Sequence, residues 1–143
     1  MTEARFEKLD HSDTALYGPR KLLLCGFGRN AQPKFAAVLA MADLSNTPLV
    51  WAAADDATTT VGELFTRPDG AGMGSDSPLK RAVIVAGITE NELHILMSAC
   101  KQAGMQPALW ATLTPTSETW TLKTLLDELS AERHQLRLGE DRS

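Results

Sequence analysis

No stretch of the sequence approaches the ~18 consecutive apolar residues that a membrane helix needs. The first thirteen residues, MTEARFEKLDHSD, mix charges without the apolar core of an export signal. A cytoplasmic location is expected. Cysteine is scarce: Cys25 and Cys100 are the only two, neither lies in a C-x-x-C or Cys/His cluster, and two thiols do not make the disulfide framework of a small secreted domain. The three histidines, His11, His94 and His134, have no ligand spacing, so no metal site is expected. Basic residues are not in excess either. The formal net charge is −4, and Lys and Arg are scattered singly or in pairs such as Arg20-Lys21 and Lys80-Arg81. The basic stripe that a nucleic-acid backbone attracts is missing, and nucleic acid is not an expected partner. No G-x-S-x-G, P-loop or H-E-x-x-H string occurs, and no catalytic residue is assigned.

What is present is the composition of an ordinary globular domain, with 43% hydrophobic and 22% charged residues. A chain of this length buries roughly two-thirds of its surface in one core without staples. Residues 1–19 read as a loosely ordered leader, with a helical turn around Phe6 and Leu9. Leu22-Leu23-Leu24-Cys25 is a continuous apolar run, the pattern of a strand buried on both faces, and Gly26-Phe27-Gly28 ends it. Phe35, Val38, Leu39 and Ala42 then form a helix stripe. Pro48 introduces a second strand at Leu49–Ala53, and Val61, Leu64 and Phe65 suggest a short helix.

The stretch RPDGAGMGSDSP is too rich in Gly and Pro for regular structure, and 67–80 reads as a linker. Beyond it the order repeats. Ala82–Val85 is a strand, Gly87 ends it, Thr89-Glu90-Asn91-Glu92 is a capping box, Leu93, Leu96, Met97 and Cys100 form a helix stripe, and Gly104 closes it. Pro107 introduces the strand Ala108–Leu113, and Leu122, Leu125, Leu126 and Leu129 form the last helix stripe. Gly26-Phe27 answers Gly87-Ile88, Pro48–Ala52 answers Pro107–Ala111, and Thr60-Val61 answers Thr121-Leu122, at offsets of 61, 59 and 61. The expected fold is therefore α/β: two tandem βαβα repeats (20–66 and 81–134) in one domain (20–134), forming a mainly parallel four-stranded sheet covered by helices. A ferredoxin-like α+β sandwich is the alternative. Residues 135–143 read as a frayed tail.

Two segments carry candidate chemistry. Gly26-Phe27-Gly28-Arg29-Asn30-Ala31 is a G-x-G-x-x-A string between a strand and a helix. With Asp55 after the next strand it has the context of a dinucleotide site built on Gly26, Gly28, Arg29 and Asp55. The plainer explanation is a strand-to-helix turn: Asp55 lies 29 residues after Gly26, Pro33 removes an N–H from the first helical turn, and Gly87-Ile88-Thr89 lacks the second glycine. Thr114, Pro115, Thr116 and Trp120 form a polar turn where a strand leaves the sheet, a place that suits a ligand or partner. Turn and cap formation explains the same residues. Cys25 reads as a buried structural thiol.

The segment from Arg81 to about Glu132 resembles a bacterial family of small domains of unknown function. VIVAGITENEL, ALWATLTPT and WTLKTLLDEL carry the resemblance, and family members often have Asn at the place of Ser117. The resemblance implies no activity, cofactor or catalytic residue. It does imply that one unit can occur alone, which would make this chain a fused pair. The expected function is a non-enzymatic module binding a protein partner or small ligand, acting as a monomeric pseudo-dimer or a homodimer. A purely structural subunit joined through an edge strand, or a nucleotide-dependent enzyme using the Gly26 turn, are the alternatives. No cofactor is expected on the first reading.

Overall fold

The computed structural model describes residues 14–142; the expected turn around Phe6 and Leu9, and His11, lie outside them. In chain order the elements are β1 (Lys21–Cys25), α1 (Ala31–Met41), β2 (Leu49–Ala52), α2 (Val61–Leu64), β3 (Ala82–Ala86), α3 (Glu90–Gln102), β4 (Leu109–Thr112) and α4 (Leu122–Arg142). Short 3₁₀ turns at Ala54–Thr58 and Ser117–Thr119 precede α2 and α4. The strands form one mixed sheet in the order β2-β1-β3-β4. β1 runs parallel to β2 and β3 parallel to β4, while the central pair β1–β3 is antiparallel.

The antiparallel centre follows from the path of the linker. After α2 the chain climbs the outer edge of β2, where Gly70 N–H donates to Leu49 O (2.7 Å) and Trp51 N–H donates to Ala71 O (2.8 Å). It then passes the end of β1, where Gly74 N–H donates to Gln32 Oε1 and Gln32 Nε2 donates to Ser75 O. Ala82 is thereby delivered beside Cys25, the last residue of β1, and β3 can only run back. A ferredoxin-like sandwich is ruled out. That fold keeps its helices on one face of an antiparallel sheet, whereas here parallel neighbours pair and both faces are covered.

The uninterrupted apolar strands are buried on both sides, as such runs require. Leu22, Leu24, Trp51, Val83 and Val85 meet α1 and α3 through Phe35, Val38, Leu39 and Leu96. On the other face Leu23, Val50 and Ile84 meet α2 and α4 through Val61, Leu64, Leu122 and Leu126. α3 begins with the capping box read from the sequence: Thr89 Oγ1 accepts from Glu92 N–H and Glu92 Oε1 accepts from Thr89 N–H, at 3.0 and 2.9 Å. Ahead of β1, Ala15 bridges Thr89 and Leu16 N–H donates to Ile88 O at 2.8 Å.

Many contacts are unchanged when a residue is exchanged for the one 61 positions away. Val61 N–H donates to Trp120 O and Leu122 N–H donates to Thr59 O, both at 2.9 Å, around the bridge between Thr60 and Thr121. Gly26 and Gly87 have φ of +74° and +69°, and a Cβ on either would strike backbone of Arg81 or of Arg20. α1 and α3 both end at a left-handed residue, Asp43 (φ 63°) and Gly104 (φ 73°). One feature breaks the pattern. The connection from Asp43 to Pro48 is two residues longer than that from Gly104 to Pro107, so Trp51 pairs beside Leu24 while Trp110 pairs beside Val83. Trp110 thus stands one pleat farther from its glycine turn.

Candidate functional site

Gly26, Gly28, Arg29 and Asp55 all emerge at the C-terminal end of β1 and β2. Three of the backbone donors a phosphate would use there, those of Arg29, Ala31 and Gln32, are already engaged. Ala31 and Gln32 N–H both donate to Gly28 O, at 2.9 and 3.2 Å, and Pro33 has none. Arg29 N–H donates to Asp76 Oδ1 at 2.7 Å, and its guanidinium reaches Asp76 Oδ2 at 3.3 Å. These bonds hold the Asp76 carboxyl below the usual carboxylate range. The linker thus supplies the anion for this turn. Asp55 is exposed on the 3₁₀ turn, whereas its neighbour Asp56 is buried, accepts from Ala53 N–H at 2.8 Å and pairs with Arg67 at 2.9 Å.

Thr114, Pro115, Thr116 and Trp120 lie at the opposite end of the sheet, beyond β4. Thr114 N–H donates to Ser117 Oγ at 3.0 Å and Ser117 N–H donates to Thr114 Oγ1 at 2.9 Å, a reciprocal pair that closes the turn on itself. Trp120 packs on the α2/α4 core and its carbonyl serves Val61. The two candidate segments therefore do not meet.

A cavity that the sequence did not single out lies elsewhere. It is a groove of about 430 Å³ on the α1/α3 face. Phe27, Phe35 and Val83 form its floor, Met97 and Cys100 of α3 one wall, and Trp110 of β4 the other. Phe27 sits between the two glycines of the turn and meets Phe35 edge-on at 5.2 Å between ring centroids. The Arg81 guanidinium stacks on Phe27, 4.4 Å from its ring centroid, and burial lowers its pKa. Among the described residues no carboxylate pairs with Arg81 or with Lys101, which lines the groove's mouth. The Cys100 thiol is pushed up to about 11 by burial, so at neutral pH it is an uncharged part of the wall. An apolar hollow with Lys101 in its lining and Arg81 stacked on one of its rings suits a ligand with a hydrophobic body and one negative charge.

The corresponding space in the first half is filled. Leu44, the counterpart of Met105, is 2% exposed and Trp51 is 3% exposed, whereas Met105 and Trp110 are half-buried and line the groove. The one-pleat displacement of Trp110 accounts for the vacancy. A tryptophan between Leu109 and Ala111, after a proline and a methionine, was the available sequence signal, but it reads equally well as a core strand.

Most of the groove belongs to one segment of the chain. Residues 81–136 match DUF3783, a domain of unknown function. The DUF3783 segment runs from the start of β3 into α4 and contributes every groove residue except Phe27 and Phe35. No curated protein and no solved structure matches the chain. Among the described residues no cluster of His, Cys, Asp or Glu could hold a metal ion, and no helix is long and apolar enough to cross a membrane.

Proposed function

We propose that this chain is a non-enzymatic binding module, built from two fused βαβα units, of which the second has opened its core into a ligand groove. The observation that carries the reading is the contrast between the two halves: one frame is filled by Leu44 and Trp51 and the other is left hollow beside Met105 and Trp110. A fused origin is supported by the hydrogen bonds that survive the exchange of residues 61 apart, from Thr60–Thr121 to the two glycine turns. The ligand class is a small aromatic or aliphatic carboxylate. Its body would displace water from Phe27, Met97 and Trp110, and its charge would meet Lys101 and Arg81. The two free thiols suit a reducing, cytoplasmic setting. Nucleotide binding at Gly26 is less well supported because Asp76 and Gly28 O take the nearby amides.

Titration with 1-anilinonaphthalene-8-sulfonate, which pairs an apolar body with one negative charge, tests the groove. Saturable one-to-one binding is expected, competed by aromatic carboxylates. Lys101→Glu should weaken it about tenfold, the scale of a 1.4 kcal/mol contact, with an unchanged circular dichroism spectrum. Absence of saturable binding, or binding indifferent to both Lys101→Glu and Trp110→Ala, would discard the reading.

A further inference from the structure

The outward side of the α1/α3 layer poses a separate problem. Of the polar residues in α1, Gln32 is turned inward and 5% exposed, leaving Lys34 alone on the outer surface. The rest of that surface is Pro33, Ala36, Ala37, Ala40 and Met41, all exposed. A helix that is apolar all round belongs in a buried setting. α3 continues the patch: Ile95 is 43% exposed, Met41 across from it is 67% exposed, and 93–100 carries no Asp, Glu, Lys or Arg. Between them runs a shallow cleft of about 340 Å³ lined by Met41, His94, Ile95, Ser98, Ala99 and Gln102.

The charges at the margins are distributed by polarity. Because β1 and β3 are antiparallel, α1 and α3 also run in opposite directions, so the start of α1 and the end of α3 lie at one end of the layer. Lys34 and Lys101 mark that end, and Asp43, just past α1, marks the other. Among the described residues none of these three forms an ion pair. A surface that is largely apolar and free of carboxylates and Lys or Arg in the middle, basic at one end and acidic at the other is complementary to itself when turned end for end.

We infer that this face is the interface of a homodimer whose twofold axis crosses the helices, seating Met41 of each copy in the other's cleft and setting Lys34 against the other's Asp43. The long flexible side chain of Met41 suits such a cleft. α3 spans about 20 Å and the helix pair is about as wide, a footprint at the small end for stable association. The dimer therefore forms in the micromolar range rather than the nanomolar.

Sedimentation velocity of the full chain, from roughly 2 to 200 μM, tests this. The native protein should pass from monomer to dimer. Met41→Glu and Ile95→Glu, both at exposed positions outside the ligand groove, should each leave it monomeric with an unchanged thermal midpoint. Lys34→Glu should weaken the dimer at least tenfold, and Asp43→Asn, which keeps a residue suited to the left-handed backbone at that position, should weaken it too. A native protein that stays monomeric throughout, or a dimer that survives Met41→Glu and Ile95→Glu, overturns the inference; the second result would transfer the contact to another surface, such as the β4 edge. Ligand binding in the groove is read separately, with a different probe and with Trp110→Ala, a residue outside this face.

Discussion

Asp56 and Ser117, 61 positions apart, close equivalent turns with different chemistry. The Asp56 carboxylate accepts Ala53 N–H at 2.8 Å, and the Ser117 hydroxyl accepts Thr114 N–H at 3.0 Å. Both side chains are buried, and Asp56 also neutralises Arg67 at 2.9 Å. Loss of either cap takes the partner from a part-buried amide, which costs about 1 kcal/mol. Asp56→Ala should cost more than Ser117→Ala, because it also strands Arg67. Ser117→Asn should be tolerated, since its amide oxygen can accept the same bond. Urea unfolding of the three variants would rank them, and equal losses for the two alanines would refute the role given to Arg67.

The two glycines of the first turn are predicted to behave oppositely. Gly26 has φ +74° and no room for a Cβ against Leu79 O and the Arg81 backbone. Gly28 does not have a positive φ, and a Cβ there would meet only Asp76 Oδ1 at 3.4 Å, an ordinary contact. Gly26→Ala should cost several kcal/mol. Gly28→Ala should be neutral or slightly stabilising, by up to about 0.5–1 kcal/mol, because alanine restricts the unfolded chain. Thermal denaturation would separate them. A dinucleotide that stabilises the native protein but not Gly28→Ala would revive the phosphate reading of this turn.

The reason the sequence revealed the strands so well is local. Leu22–Cys25 and Ala82–Val85 are apolar at every position, and so short a run closed by a glycine has the pattern of a strand covered on both faces. The capping box at Thr89 and the helix stop at Gly104 were legible for the same reason, since each is settled within a few residues. The direction of β3 was not, because it depends on where the linker ends, and that is decided by distant contacts such as Trp51 with Ala71 and Gln32 with Gly74. The groove was hidden more deeply. A two-residue difference between connections moves Trp110 by one pleat, which keeps the side chain on the same face and leaves the apolar pattern unchanged.

Acid should remove a defined part of the stability through Glu92. Arg20 donates both terminal nitrogens to its carboxylate at 2.8 and 2.7 Å. Those bonds, opposed by burial and aided by the Thr89 amide, hold its pKa down to about 2. A carboxyl whose pKa is depressed by folding stabilises the native state above its unfolded pKa of about 4.3, and the contribution fades as pH falls from about 5 towards 2. The pair is partly exposed, with 46% and 27% of the two side chains accessible, so its contribution is about 1–2 kcal/mol after solvent screening. Glu92→Gln should lower stability at pH 7 and flatten its decline between pH 5 and pH 2. Parallel pH profiles for the variant and the native protein would exclude Glu92 as a source of the acid sensitivity.

Thiol chemistry offers a readout of the groove that does not depend on fluorescence. Cys100 is half-buried in the groove wall with its pKa raised to about 11, whereas Cys25 is buried in the opposite core, where burial first and the Asp56 charge second push its pKa far higher. Only the thiolate reacts, so iodoacetamide should modify Cys100 slowly at pH 7 and about tenfold faster per pH unit up to that pKa. Cys25 should remain unmodified until the protein unfolds. A carboxylate seated beside Cys100 should slow its alkylation in proportion to occupancy while leaving the thermal unfolding of the core cooperative. Mass spectrometry of the two tryptic peptides would read both sites at once, and alkylation of Cys25 ahead of Cys100 would contradict the burial that places one thiol in the core and the other in the groove.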